Sequence, residues 1–95
     1  MAAEGDRLFD RFGREFPVGT VVFREGDVGN EMFVIQSGKV RISKQVRDVE
    51  KTLVTLGAGE FFGEMSILNN KPRSATATVE EQAKLLVIDP KTFEA

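Results

Sequence analysis

The sequence predicts a mainly β chain, an antiparallel β-roll or jelly roll carrying little helix. Three observations point there. β-Branched and aromatic residues gather in short runs, several of which alternate apolar and polar positions as half-buried strands do. Glycine, proline, asparagine and aspartate punctuate the chain at intervals of roughly eight to twelve residues, the spacing of strands joined by turns. Outside the first residues and one stretch near position 65, the helical period is missing. About seven or eight strands make one modest core, so the 95 residues, 1–95, are read as a single domain.

The elements follow in order. Residues 1–13 are expected to form a short N-terminal helix: Leu8, Phe9 and Phe12 share one helical face, with Asp6 placed to start it and Gly13 to end it. The β-roll is then expected over 14–89. Phe16-Pro17-Val18-Gly19 has proline and glycine at the second and fourth places of a turn, and Thr20 to Phe23 is a short β-branched strand. Glu25-Gly26-Asp27-Val28-Gly29-Asn30 is a glycine-rich turn whose carboxylates lack the regular spacing of a calcium loop, so no metal is expected.

Met32 to Gln36 is almost continuously apolar and predicts a strand buried on both faces. Ser37-Gly38 reads as a tight hairpin turn. Lys39 to Val46 alternates, with Val40 and Ile42 inward and Lys39, Arg41 and Ser43 outward. Arg47 to Glu50 is a charged hairpin tip, and Lys51 to Leu56 a returning strand. Glycines 57, 59 and 63 bracket a bend. Glu64 to Leu68 has room for about one helical turn before Asn69-Asn70-Lys71-Pro72 stops it.

From Arg73 the chain alternates again: Arg73, Ala75, Ala77 and Val79 share one face of a strand, Ser74, Thr76, Thr78 and Glu80 the other. Glu80-Glu81-Gln82 is expected to turn and Ala83 to Ile88 to form the last strand. Asp89 and Pro90 open a helix over 90–95, with barely more than one turn of sequence to follow.

Composition removes several function classes. There is no cysteine, hence no disulfide framework and no thiolate nucleophile. There is no histidine, which excludes histidine triads, histidine general bases and nearly every transition-metal site. No catalytic residue is nominated, and an enzyme is not expected. A net charge of −2 with no run of basic residues gives no electrostatic case for binding nucleic acid. No apolar stretch approaches the ~18–20 residues of a membrane span, and no signal-peptide core precedes the domain, so a cytoplasmic location is expected.

The chemistry gathers between Gly59 and Ala77. Arg73 places a permanent positive charge on a strand face whose other members are small and apolar, leaving space that something must fill. Either it is a structural arginine at the rim, paired with Glu64, or the space takes a ligand. Phe61-Phe62-Gly63-Glu64-Met65-Ser66-Ile67-Leu68, a short spacer and Pro72-Arg73-Ser74-Ala75-Thr76-Ala77 resemble the phosphate-binding cassette of cyclic nucleotide-binding domains. The likeness extends upstream through the stretch from Val22-Phe23-Arg24-Glu25-Gly26-Asp27-Val28-Gly29-Asn30-Glu31-Met32-Phe33 to Val34-Ile35-Gln36-Ser37-Gly38-Lys39-Val40, and covers the chain from about Phe16 to Asp89.

That resemblance implies a β-roll holding a nucleotide between its strands and the cassette helix. It assigns Glu64 to the ribose 2′-hydroxyl, and Arg73 with the backbone of Ser66, Ser74 and Ala75 to the phosphate. Chemistry agrees: guanidinium offers paired planar donors to phosphate oxygens, backbone N–H groups add more, a carboxylate accepts from a hydroxyl, and Gly63 lets the sugar approach. Phe62 and Met65 complete the ligand-contacting cassette. Val54 and Leu56 lie where related domains put apolar residues against the purine, although both fit a plain core equally well. Ser74 leaves base choice open, with cyclic AMP favoured over cyclic GMP.

In related domains, helices after the last strand form a hinge and a lid, and an output region responds to ligand. Neither is expected within these residues. The leading reading is a regulatory module that senses a cyclic nucleotide, with no cofactor. The rival is a ligand-free domain of the same fold serving as a protein-interaction surface.

Overall fold

Strands from both halves of the chain cross in one antiparallel sheet, in a computed structural model that describes residues 13–89 and 91. Six strands and one helix occur among them: β1 (Gly13–Phe16), β2 (Val21–Phe23), β3 (Met32–Val46), β4 (Val49–Leu56), β5 (Phe61–Phe62), α1 (Glu64–Asn69) and β6 (Thr76–Ile88). The order is β1-β6-β3-β4, with β2 added to β6 and β5 to β3. Every pairing is antiparallel. This is the β-roll that the alternation predicted. The proposed helices over 1–13 and 90–95 lie largely outside the described residues, but Gly13, expected to end the first of them, instead opens β1 opposite Leu86.

Two expected turns are absent. Ser37-Gly38 and Glu80-Glu81-Gln82 lie inside the long strands β3 and β6, which face each other there. The register between them shifts three times between Ile35 and Val40, so the irregularity that looked like a hairpin is a set of bulges that bend paired strands without ending them. Gly38 carries the bend at φ 92°. The first turn also sits one residue later than expected: Thr20 N–H donates to Pro17 O at 3.1 Å, with Gly19 at φ 89° in the third place. The charged tip is a two-residue hairpin, Arg47 and Asp48 both at positive φ.

Alternation is cleanest where it was predicted. Arg73, Ala75, Ala77 and Val79 are all buried, and the residues between them are not. Ser43 is the exception on β3. Expected outward, it is fully buried and donates to Glu50 Oε2 at 3.0 Å. It keeps the outward face, since Arg41, Ile42 and Ser43 pair with Thr78, Ala77 and Thr76 without a break; the Glu50 side chain meets it there from β4, where a bulge leaves Leu53 over between Val54 and Thr52. The core gathers Phe33, Ile35, Val40, Phe62, Ala77, Val79, Ala83 and Leu85. At one end of it Phe33 and Phe62 stack and Phe23 packs tilted against both, with centroids 5.1–5.9 Å apart. That aromatic floor positions the site.

Candidate functional site

Arg73 stands on this floor. Its guanidinium carbon lies 4.2 Å from the centroid of the Phe23 ring, a cation–π contact. The residue is only 6% exposed, and two main-chain carbonyls hold it: Nη1 donates to Glu31 O at 2.8 Å and to Gly63 O at 3.3 Å. Its Nε is buried with no hydrogen-bond partner. No ion pair joins it to Glu64 among the described residues, so the rim pairing offered as the structural alternative does not form. Burial pushes the guanidinium pKa below its ordinary value, opposed by the nearby carboxylates of Glu31 and Asp27.

The backbone on either side is pinned. Arg73 N–H donates to Asp27 O at 2.8 Å and Gly26 N–H donates to Arg73 O at 2.7 Å, which stitches the glycine-rich turn to the start of β6. Asp27 Oδ2 accepts from Arg24 N–H, and Thr76 Oγ1 accepts from Glu25 N–H. The acidic glycine-rich turn thus serves as a clamp on Arg73, and among the described residues no group of three or more His, Cys, Asp or Glu side chains is placed to hold a metal ion. Gly29 completes the clamp from the side. A Cβ there would lie 2.9 Å from Arg73 Nη2 and 3.3 Å from Nε, so the guanidinium fills the space a side chain would take.

Helix α1 forms the opposite wall. Gly63, at φ 82°, turns the chain into it, and Asn70, at φ 54°, ends it by donating its N–H to Ser66 O at 3.0 Å. Ser66 is buried and its Oγ donates to Lys71 O at 3.2 Å, tying the helix to the spacer ahead of Arg73. Between wall and sheet lies a cleft of about 370 Å³, within the size range of small-ligand pockets. Its lining includes Phe62, Gly63, Glu64, Met65, Ser66, Arg73, Ser74 and Ala75, the cassette residues nominated from the sequence, together with Leu56. Val54 does not line it; the residue is 46% exposed on β4, opposite Ile42. Phe23, Ile42, Phe61, Lys71 and Pro72 line it without having been nominated. Phe23 and Ile42 come from strands far off in sequence, and only the pairing of β2 and β3 with β6 delivers them. The arrangement is a cation at the bottom of a mostly apolar cleft, with a carboxylate acceptor on the wall.

Comparisons with known proteins agree with this geometry. The family model described as "Cyclic nucleotide-binding domain" matches residues 13–95. The cyclic AMP receptor protein of Thermus thermophilus is 42% identical over 76 residues, covering 79% of this chain and 35% of that protein. A cyclic nucleotide-gated potassium channel of Rhizobium etli is 40% identical over 81 residues, 85% of this chain and 21% of the channel. The chain therefore spans about a third or less of these relatives. Among solved structures, the Thermus thermophilus catabolite activator protein superposes with a TM-score of 0.84 at 37% identity, over 99% of this chain and 46% of that one. An EAL enzyme, solved in cyclic AMP-bound and cyclic GMP-bound forms, superposes with TM-scores of 0.81 and 0.80 at 31% identity, over 84% of this chain and 22% of the enzyme. With the family model spanning every strand and the cassette helix, this chain belongs to the cyclic nucleotide-binding domain family.

Proposed function

We propose that this domain is a regulatory module that binds a 3′,5′-cyclic nucleotide, prefers cyclic AMP to cyclic GMP, and passes its occupancy to an output region outside these residues. The observation that carries the reading is Arg73: a buried guanidinium with Nε lacking an acceptor, at the bottom of an open cleft. Burying a charge without a counter-ion costs several kcal/mol unless something repays it. A phosphodiester anion repays it with charge and with acceptors for the free donors. Glu64 suits the ribose 2′-hydroxyl, and Ser66, Ser74 and Ala75 lie close enough in the lining to add polar contacts around the phosphate. Phe62, Met65 and Leu56 supply apolar surface for sugar and base, while Val54, outside the lining, is left without a role.

The preference for cyclic AMP is supported by a relative named for it, and Ser74, exposed on the cleft wall, is the side chain to vary against cyclic GMP. The module binds and does not catalyse; with neither histidine nor cysteine in the sequence, its side chains offer carboxylates and cations for recognition.

Calorimetric titration of the chain with cyclic AMP, cyclic GMP and 2′-deoxy cyclic AMP tests this. Tightest binding to cyclic AMP, with the 2′-deoxy compound weaker, supports the reading and the role of Glu64. The second reading, an interaction module that has lost its ligand, is favoured by Phe61, Met65 and Leu68, all exposed on the cassette. Absence of heat with every nucleotide would select it.

A further inference from the structure

The buried cation of this cleft has carboxylates in its neighbourhood. Glu64 lines it, and Glu31 and Asp27 lie close enough to act on Arg73. Each of these negative charges weakens the pull of Arg73 on an approaching anion. One other charged residue lines the cleft, Lys71. It is exposed, and no ion pair engages it among the described residues. Its backbone is nonetheless held: its carbonyl accepts from buried Ser66 Oγ at 3.2 Å, with Asn70 in a left-handed conformation before it and Pro72 after it. An anchored main chain with a free ammonium head keeps a positive charge at the mouth while Arg73 stays below.

We infer that Lys71 is a positioning residue that captures the anionic ligand at the mouth of the cleft and hands its phosphate to Arg73, setting the rate of association. This rests on the proposed function. An exposed charge of this kind acts on encounter and is screened by salt, whereas a desolvated contact acts on release.

The test is stopped-flow association and dissociation of a fluorescent cyclic AMP analogue with the wild-type chain, Lys71→Gln and Lys71→Glu, at low and high salt. Lys39→Gln, whose lysine pairs with Glu81 outside the cleft lining, is the control. Lys71→Gln is expected to slow association about three- to tenfold at low salt, and Lys71→Glu further, with dissociation changed less than about twofold and the difference shrinking at high salt. Lys39→Gln is expected to match wild type. Unchanged association in both Lys71 variants, or a change confined to dissociation, overturns the inference and leaves the proposed function standing. An equal loss in Lys39→Gln also overturns it, by reducing the effect to net charge. Failure of the wild-type chain to bind the analogue, confirmed with unlabelled cyclic AMP, overturns the proposed function itself.

Discussion

At the scale of single residues, the site depends on a guanidinium held on three sides. Phe23 lies beneath it, the carbonyls of Glu31 and Gly63 take Nη1, and Gly29 leaves room at Nη2 and Nε. Lysine would keep the charge but lose the planar fork. Arg73→Lys is therefore expected to weaken cyclic AMP binding by about 1.5–3 kcal/mol, the range of a charge-assisted hydrogen bond. Titration placing the variant within twofold of wild type would show that paired donors are not what the ligand reads. Gly29→Ala tests the clamp by a different route. The new Cβ meets only the far end of a flexible side chain, so the fold should tolerate it and the guanidinium should move. Affinity is expected to fall roughly tenfold or more, the equivalent of one such hydrogen bond, with the thermal midpoint shifted by only a few degrees. A large loss of stability with normal affinity would make Gly29 a packing residue instead.

At the scale of elements, β3 and β6 matter most, because they contribute both the core and the strand face that leads to Arg73. Their bend depends on Gly38. A Cβ at that position would lie 2.6 Å from Ala83 Cα and would also run into the Gln82 carbonyl, both main-chain groups of the paired strand, and φ is 92°. Neither neighbour can give way by rotating a side chain. Gly38→Ala is expected to cost about 2–4 kcal/mol, combining left-handed strain with overpacking, read as a lower urea midpoint at unchanged slope. A loss under 1 kcal/mol would mean that the two strands can straighten. The surface ion pairs Lys39–Glu81, Arg41–Glu80 and Lys84–Glu15, at 3.3–3.9 Å, are each worth at most about 1 kcal/mol and do not compensate.

For the whole molecule, the buried Arg73, which no ion pair engages among the described residues, is expected to couple ligand to stability. An anion that binds the folded cleft and not the unfolded chain raises stability by mass action, about 2.7 kcal/mol at a hundredfold excess over Kd. For a domain of this size that corresponds to a rise in Tm of about 10 °C or more. Differential scanning calorimetry with saturating cyclic AMP is expected to show it, and Arg73→Lys to lose most of it. A Tm independent of cyclic AMP, in a chain that titration shows to bind it tightly, would contradict this linkage.

Fold class and the run of residues along the cleft were legible in the sequence, since both rest on local patterns. Alternation from Arg73 to Val79 has period two, and every inward position is buried. Phe62 to Ser66 and Arg73 to Ala75 line one cleft as their motif suggested, because a glycine bend, a one-turn helix and a strand start are all short-range structures. The rest depends on contacts between distant strands. Ser37-Gly38 and Glu80-Glu81-Gln82 carry turn residues, yet the pairing of β3 with β6 keeps both segments extended and spends the irregularity as bulges. Ser43 is buried although it faces outward, because its hydroxyl meets Glu50 of the neighbouring strand, a contact that no pattern on β3 contains. The main acceptor for Arg73 is the carbonyl of Glu31, 42 positions away. Every residue has a carbonyl, so its use leaves no trace in residue type, and only the folded sheet brings that one within reach of the guanidinium.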